Sequence, residues 1–203
     1  MAKIENVAIV ILAAGASMRM GSPKQLLNWG RNSLLGHAIT TCKKSLAKDI
    51  IVVLGANCDT IASGIKETDV SVVINKEWKQ GLGRSIASAV QFILDSKKKV
   101  TGLLIILADQ PFVTTDYLDK MVSEFNSGSS KIIATTYDSD ITGVPVLFDV
   151  SYFKELSQLS GDAGAKSLIK KYQNQLKVLI PKFQNWDIDT KEDYAKLKRR
   201  YFS

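Results

Sequence analysis

The chain has 203 residues, and its 27 lysines and arginines against 20 aspartates and glutamates give a formal net charge of +7. Its 45% apolar content is enough for one sizeable core, but no uninterrupted apolar run reaches the roughly 18 to 20 residues of a membrane span. The length fits one domain over residues 1–203, and the short apolar runs lead us to expect a cytoplasmic protein without a membrane partner. The basic runs lack interleaved aromatic residues, so we expect no nucleic-acid partner.

Short apolar runs rich in β-branched residues alternate along the chain with segments of helical periodicity. In chain order the pattern predicts a strand at 7–12, a helix at 33–45, a strand at 50–54, a helix at 59–66, a strand at 70–74, a helix at 85–95, a strand at 102–107, a helix at 116–125, strands at 132–136 and 144–148, helices at 150–156 and 163–172, a strand at 176–180 and a final helix from about 190. This alternation predicts a single-domain α/β fold with a mainly parallel, Rossmann-like sheet and helices on both faces. Ligands of such sheets bind at the carboxyl ends of the strands.

A glycine-bearing loop from Ala13 to Lys24 follows the first predicted strand at that edge. Small residues let the backbone approach a ligand, and successive N–H groups can form an anion-binding concavity. Arg19 offers paired donors to phosphate oxygens, and Lys24 offers a point charge. An ordinary turn with surface cations is the alternative. A P-loop is excluded, because five residues rather than four separate Gly15 from Gly21.

Carboxylates stand at two positions that suit a metal site. Asp109 follows the strand at 102–107, where it is either a turn residue or a metal ligand. Asp187 and Asp189 lie on one face of an extended segment, and they either complete a site with Asp109 or complement the dipole of the last helix.

Few residues of other types are available to bind a metal. Cys42 and Cys58 are expected to be free thiols, and His37 is the only histidine, expected to serve packing or the surface. Oxygen ligands are left, and they favour Mg²⁺, with Mn²⁺ as the alternative.

Two further glycine-bearing segments, Gly81 to Ser85 and Gly161 to Lys166, open predicted helices or precede them closely. Their glycines allow close approach of a flat ligand, and N–H groups at a helix start point outward. Plain loop chemistry explains either segment equally well.

Six segments with motif-like spacing follow one another along the chain. They are Leu12-Ala13-Ala14-Gly15-x-Ser17-x-Arg19-Met20-Gly21-x-x-Lys24, Gly81-Leu82-Gly83-x-Ser85, Asp109-Gln110-Pro111, Gly143-x-Pro145-Val146-Leu147-Phe148, Gly161-Asp162-x-Gly164-Ala165 and Asp187-Ile188-Asp189-Thr190. In this order they resemble the MobA-like nucleotidyltransferase family, and most of all its branch that contains molybdenum cofactor cytidylyltransferase. The resemblance covers nearly the whole chain and implies the nucleotide-diphospho-sugar transferase-like version of the predicted fold. It implies transfer of CMP from CTP to the phosphate of a molybdopterin acceptor, with release of pyrophosphate.

The resemblance also implies roles for the matched positions. Residues 1–110 would form the nucleotide-binding part, and residues 111–203 would bind the acceptor and complete the metal site. A molybdenum hydroxylase becomes a candidate delivery target. The implied roles are catalysis by Arg19, Lys24 and Asp109; nucleotide binding by Leu12, Ala13, Ala14, Gly15, Arg19, Lys24, Gly81, Leu82, Gly83 and Ser85; acceptor binding by Gly143, Pro145, Gly161, Asp162, Gly164 and Lys166; and metal binding by Asp109 and Asp189.

The choice of base and acceptor has alternatives. Ala14 favours CTP, because the guanylyl-transferring branch usually has glycine at that position. The same fold would also suit another base, a sugar phosphate or a methylerythritol phosphate. A binding protein that delivers a cofactor without transferring a nucleotide is a further alternative, and the intact Arg19, Lys24, Asp109 and Asp189 argue against it.

Overall fold

A computed structural model describes residues 6–65, 69–125, 131–138 and 141–202. The predicted end of the second helix, at Lys66, lies outside the described residues. The strands within these ranges are β1 (Val7–Ala13), β2 (Asn28–Trp29), β3 (Asn32–Ser33), β4 (Asp49–Leu54), β5 (Ser71–Ile74), β6 (Gly102–Leu107), β7 (Ile132–Asp138), β8 (Ile141–Asp149) and β9 (Leu176–Leu179). The helices are α1 (Leu34–Lys43), α2 (Cys58–Ser63), α3 (Leu82–Asp95), α4 (Thr115–Ser123), α5 (Phe153–Leu156), α6 (Lys166–Lys171) and α7 (Lys191–Phe202).

Seven of these strands form one sheet in the order β5-β4-β1-β6-β8-β7-β9. Only β8 among them runs antiparallel to its neighbours, β6 and β7, so the predicted mainly parallel sheet is confirmed. All seven residues of β1 are buried, as expected for a central parallel strand that is covered on both faces. The strand order changes direction at β1, which places a ligand crevice between the carboxyl ends of β1 and β6.

Helices cover both faces of the sheet, because alternate residues of each strand point to opposite sides. Ile9 and Ile11 pack in the same buried cluster as residues of α1, α2 and α4. Ala8 and Val10 pack with residues of α3, α5 and α6 on the other face. Both predicted layers are therefore present.

The last helix, α7, packs outside these two layers. Its Leu197 joins Trp29, Leu34 and Ile188 in a third buried cluster, and Trp29 is 2% exposed. The small β2–β3 hairpin that carries Trp29 was not predicted, since strands of two residues are too short to show an alternating pattern. The hairpin therefore packs against α7, and Ile188, in the segment that precedes α7, is buried in the same cluster.

Capping explains where several helices begin. Ser33 Oγ accepts from Gly36 N at 3.0 Å at the start of α1, and Thr114 Oγ1 accepts from Tyr117 N at 3.3 Å at the start of α4. Thr190 and Asp193 cap α7 reciprocally, with Thr190 N donating to Asp193 Oδ2 at 2.9 Å and Asp193 N donating to Thr190 Oγ1 at 3.1 Å.

Three predicted helices differ from the structure. The helix expected at 163–172 is confined to 166–171, because Gly161 and Gly164 adopt φ values of 73° and 55° that hold the preceding loop out of helical geometry. The segment expected at 150–156 is a 3₁₀ turn followed by the single turn of α5. The third, α3, begins at Leu82 rather than at 85, directly after Gly81.

Two expectations about composition also have structural outcomes. Cys42 and Cys58 are free thiols, as predicted, and burial raises the pKa of Cys42 to about 12. Within the described ranges, no helix has both the length and the apolar character needed to cross a membrane.

Candidate active site

A cleft of about 410 Å³ opens at the carboxyl edge of the sheet, where the strand order changes direction. This volume lies within the roughly 300 to 1,000 Å³ typical of small-molecule sites. Trp78 and Lys79 also line the cleft. Neither was predicted as a site residue from the sequence, because neither belongs to one of its motifs. The predicted nucleotide-binding residues that line the cleft are Leu12, Ala13, Ala14, Gly15, Lys24, Gly81, Leu82 and Ser85, and Asp109 joins them.

The loop after β1 is held in shape from within by Gln25. This side chain is 2% exposed, and its Nε2 donates to the carbonyl oxygens of Ala13 at 2.8 Å and Gly15 at 3.0 Å. Ser17 adopts a left-handed conformation with φ 54°, and its Oγ accepts from Lys24 N at 3.1 Å. These bonds curl the loop so that Lys24 turns into the cleft. Sequence reasoning missed Gln25, because a glutamine in a loop normally indicates a solvated position.

Lys24 lies between two carboxylates that are far apart in the chain. Its Nζ donates to Asp109 Oδ2 and, at 2.8 Å, to Asp189 Oδ1. Arg19 Nη2 donates to the other oxygen of Asp189 at 2.9 Å, although the Arg19 side chain is 69% exposed and does not line the cleft. The fold thus brings together the four charged residues to which the resemblance assigns catalytic and metal-binding roles.

The charges in this cluster stabilise one another. Burial by itself lowers the pKa of Lys24, but the nearby Asp109 and Asp189 outweigh it, so the pKa lies above its ordinary value of 10.5. The hydrogen bond from Lys24 holds the pKa of Asp189 below its ordinary 3.8 in spite of burial. An acid whose pKa is lowered by folding stabilises the fold at pH values above its ordinary pKa. A lysine whose pKa is raised by folding stabilises the fold at pH values below its ordinary pKa. Asp189 and Lys24 therefore both stay ionised between pH 3.8 and pH 10.5.

The donor set around Asp109 fits a divalent metal ion. Asp109 Oδ1 is buried and has no hydrogen-bond partner within the described part of the chain, while Oδ2 is taken by Lys24. Asp189 shares that lysine, so two carboxylates converge on one cationic position. In the ranges described, no group of three or more His, Cys, Asp and Glu side chains is placed to hold a metal. Two carboxylates supplemented by phosphate and water oxygens are the usual arrangement for Mg²⁺.

A second cavity of about 170 Å³ adjoins the cleft and shares Leu12, Leu82, Leu107 and Asp162 with it. Of the predicted acceptor-binding residues, Gly143, Asp162 and Lys166 line this cavity. The structure does not bring Pro145, Gly161 or Gly164 to the lining.

Pro145 lies instead after a cis peptide bond, with its carbonyl oxygen accepting from Thr135 Oγ1 at 2.6 Å. Tyr137 and Asn185 do line the second cavity and were missed, since no motif contains Tyr137 and Asn185 stands outside the matched segment. Asp187 lines this cavity as well, and its burial, followed by the nearby Asp109 charge, raises its pKa.

The glycines at 81 and 83 serve mainly to join two loops. Gly83 N donates to Gly161 O at 2.9 Å, and Gly161 N donates to Gln80 O at 2.8 Å. A Cβ on Gly83 would lie 2.7 Å from Ser160 O, and Gly83 does not line the cleft. A close approach of another group therefore requires glycine at position 83, as the sequence indicated. The approaching group, however, is the backbone of the segment before α6 rather than a ligand.

We expect Gly81→Ala to lower the free energy of unfolding by roughly 2 to 4 kcal/mol. Gly81 has φ 93°, and a Cβ there would lie 2.3 Å from Gly161 C. Gly143→Ala is the matched control, because a Cβ at Gly143 meets nothing within 4 Å, and its effect should stay within about 0.5 kcal/mol. Urea denaturation measures both, and equal stabilities would contradict the packing role of Gly81.

Comparisons with known proteins agree with this geometry. A protein-family model described as MobA-like NTP transferase domain matches residues 9–176. Nicotine blue oxidoreductase from Paenarthrobacter nicotinovorans is 27% identical over 199 residues, which cover 95% of this chain and 93% of that protein. The bifunctional protein GlmU from Pseudarthrobacter chlorophenolicus is 29% identical over 141 residues, which cover 67% of this chain but only 28% of GlmU.

Solved structures extend the similarity to the whole chain. The crystal structure of Rv0371c from Mycobacterium tuberculosis H37Rv has a TM-score of 0.83 and 27% identity, with 97% of this chain and 99% of that chain covered. A structure of Rv0371c in complex with manganese has a TM-score of 0.77 and 26% identity, with 96% and 98% covered. The predicted fold is therefore confirmed, and the matched family model ends before Asp187 and Asp189.

Proposed function

The chain belongs to the MobA-like NTP transferase family, and on that premise we propose that it transfers CMP from CTP to the phosphate of a molybdopterin-type acceptor, with release of pyrophosphate. The observation that carries the proposal is the Lys24 ammonium between Asp109 and Asp189, in a cleft walled by the backbone of the loop after β1. A cation and two oxygen ligands beside exposed backbone are suited to a bound triphosphate.

Positioning and charge neutralisation carry the reaction in this proposal. An oxygen of the acceptor phosphate attacks the α-phosphorus of the nucleotide, the bond from that phosphorus to the bridging oxygen breaks, and pyrophosphate leaves with its electron pair. The attacking oxygen is already anionic near neutral pH, so no general base is required. His37 fits this account, because it lies on α1 outside the cleft with Nε2 3.0 Å from Pro111 O.

Each charged side chain has a task in this step. The loop backbone from Ala13 to Gly15 orients the base and ribose, and Lys24 with Arg19 offsets the charge of the departing pyrophosphate. A divalent ion, Mg²⁺ or Mn²⁺, held by Asp109 and Asp189 would supply further neutralisation of phosphate charge. The manganese complex of the similar Rv0371c supports such an ion.

The second cavity is the proposed acceptor site. It adjoins the cleft, and Asp162 borders both spaces, so an acceptor bound there would present its phosphate towards the nucleotide. Lys166 provides a positive charge for that phosphate. Ala14 in the cleft wall supports CTP as the donor, and a molybdenum hydroxylase is the proposed recipient of the product.

Pyrophosphate release tests the proposal directly. CTP, GTP, ATP and UTP are each incubated with the protein and Mg²⁺ or Mn²⁺, with and without molybdenum-loaded molybdopterin. Release only with CTP and this acceptor is the expected result. Release with another base, or with a sugar phosphate or methylerythritol phosphate instead, would keep the reaction class and replace the substrate.

The full-length relative named nicotine blue oxidoreductase defines a contrasting outcome. Redox turnover of nicotine blue, with no pyrophosphate released from any nucleotide and acceptor pair, would overturn nucleotidyl transfer. Binding of CTP by calorimetry without any release would favour a binding and delivery protein.

A further inference from the structure

A small set of hydrogen bonds joins the residues after β6 to the segment that leads into α7. Gln110 Nε2 donates to Asn185 Oδ1 and to Asp187 Oδ1, each at 2.9 Å. Beside them, Ile188 N donates to Asp109 O at 3.0 Å. Three bonds thus tie Asp109 and Gln110 to the 185–188 segment, which directly precedes Asp189, across a separation of more than 70 positions in the chain.

The Gln110 side chain is held in a single orientation. It is 7% exposed, and its amide nitrogen uses both protons on acceptors. Both of its partners are oxygen atoms, so turning the amide over would place oxygen against oxygen. Gln110 Oε1 is buried and has no partner within the described residues, so both hydrogen bonds of this amide are made by its nitrogen.

Lys24 Nζ joins Asp109 to Asp189, and Gln110, next to Asp109, contacts Asp187, so three carboxylates lie at this edge, and like charges repel. Lys24 contacts Asp109 and Asp189, and Arg19 contacts Asp189, but neither cation donates to Asp187 in the described part of the chain. Among the described residues, the Gln110 amide is the donor that contacts the Asp187 carboxylate. From the far side, Asp193 Oδ2 accepts from Thr190 N at 2.9 Å and restrains the start of α7.

We propose that Gln110 is a positioning residue that sets the place of Asp189 opposite Asp109 by holding the 185–188 segment. The inference rests on the proposed function in one respect, that Asp109 and Asp189 are metal ligands. Side chains that orient metal ligands commonly contribute 10- to 100-fold to metal affinity. Without the amide, Asp187 has no donor among the described residues, and the segment loses two of its three bonds to Asp109 and Gln110.

Binding of Mn²⁺ alone, followed by the electron paramagnetic resonance signal of the free ion, tests this role. We expect Gln110→Met, which keeps the length of the side chain but no donor, to raise the Kd for Mn²⁺ by about 10- to 100-fold. Thermal unfolding of the same sample verifies that the variant is folded. Wild-type affinity in folded Gln110→Met would overturn the proposal.

A single and a double variant test the donor and the acceptor separately, and the double variant exchanges the two while it keeps the net charge of the wild-type chain. Gln110→Glu places a carboxylate against Asp187 and should weaken Mn²⁺ binding, whereas Gln110→Glu combined with Asp187→Asn restores a donor facing an acceptor. We expect the double variant to recover most of the affinity that Gln110→Glu loses, and Asn185 can turn its amide to donate as well. Failure of a folded double variant to recover would overturn the proposal, even if Gln110→Met did not fold.

These titrations contain no nucleotide and no acceptor, so they separate the two proposals. A chain that binds Mn²⁺ in a Gln110-dependent way but releases no pyrophosphate with any substrate pair would support the role of Gln110 and contradict nucleotidyl transfer. A wild-type chain that shows no Mn²⁺ binding would overturn the role of Gln110 whatever its activity.

Discussion

Lys24→Ala is expected to lower the rate of pyrophosphate release by on the order of 10²-fold or more while the protein stays folded. Lys24 lines the cleft, where it contacts Asp109 and Asp189, and its side chain is 16% exposed. A charge held in a site that is largely shielded from water stabilises developing phosphate charge far more than a surface lysine does. Initial rates of pyrophosphate release at saturating nucleotide, with circular dichroism as the folding check, measure the effect.

Two further variants separate charge from packing at this position. Lys24→Met keeps the aliphatic stem and removes the ammonium, so it should lose as much activity as Lys24→Ala. Lys97→Ala is the matched control, because Lys97 is exposed in the loop before β6, at the opposite edge of the sheet. Normal turnover in folded Lys24→Met would remove Lys24 from the reaction.

Asp109→Ala is expected to cost a comparable factor, on the order of 10²-fold or more, and to weaken binding of Mn²⁺ as well. Asp109 Oδ1 is a buried oxygen without a partner among the described residues, beside an oxygen already bound to Lys24. Asp109→Asn keeps one carbonyl oxygen as a weaker ligand, so a higher Mn²⁺ concentration should restore part of its rate of pyrophosphate release. The same concentration should restore none of the rate that Asp109→Ala loses. Release rates across a Mn²⁺ titration distinguish these variants.

The control for Asp109 is Asp95→Asn, at the end of α3 and the opposite edge of the sheet. It should show the rate and the Mn²⁺ dependence of the wild-type chain. If Asp109→Ala kept both as well, Asp109 would be a turn residue, the alternative that the sequence left open.

Local pattern was enough to predict most of the fold. The apolar runs at β1, β4 and β6 are continuous because strands covered by helices on both faces have no solvated side, and this leaves a signature in the sequence itself. The direction of β8 left no such signature, since a strand has the same periodicity in either direction. The β2–β3 hairpin was too short to leave one.

The candidate site divides in the same way. The sequence pointed to Lys24 and Asp109 because each lies in a loop that follows a predicted strand at the ligand-binding edge, and the family resemblance added Asp189. Their meeting through one ammonium group was decided by the fold, which closes a separation of 165 positions between Lys24 and Asp189.

The buried glutamines mark what only the tertiary structure decided. Gln25 and Gln110 are 2% and 7% exposed, and their amides hold the loop after β1 and the segment before α7. Gly83 was predicted to admit a ligand, but it admits backbone of a neighbouring loop. The physical reason is common to all three: a sequence shows which groups can bond or approach closely, whereas the partner for each is supplied by segments that meet only when the sheet and its covering helices have formed.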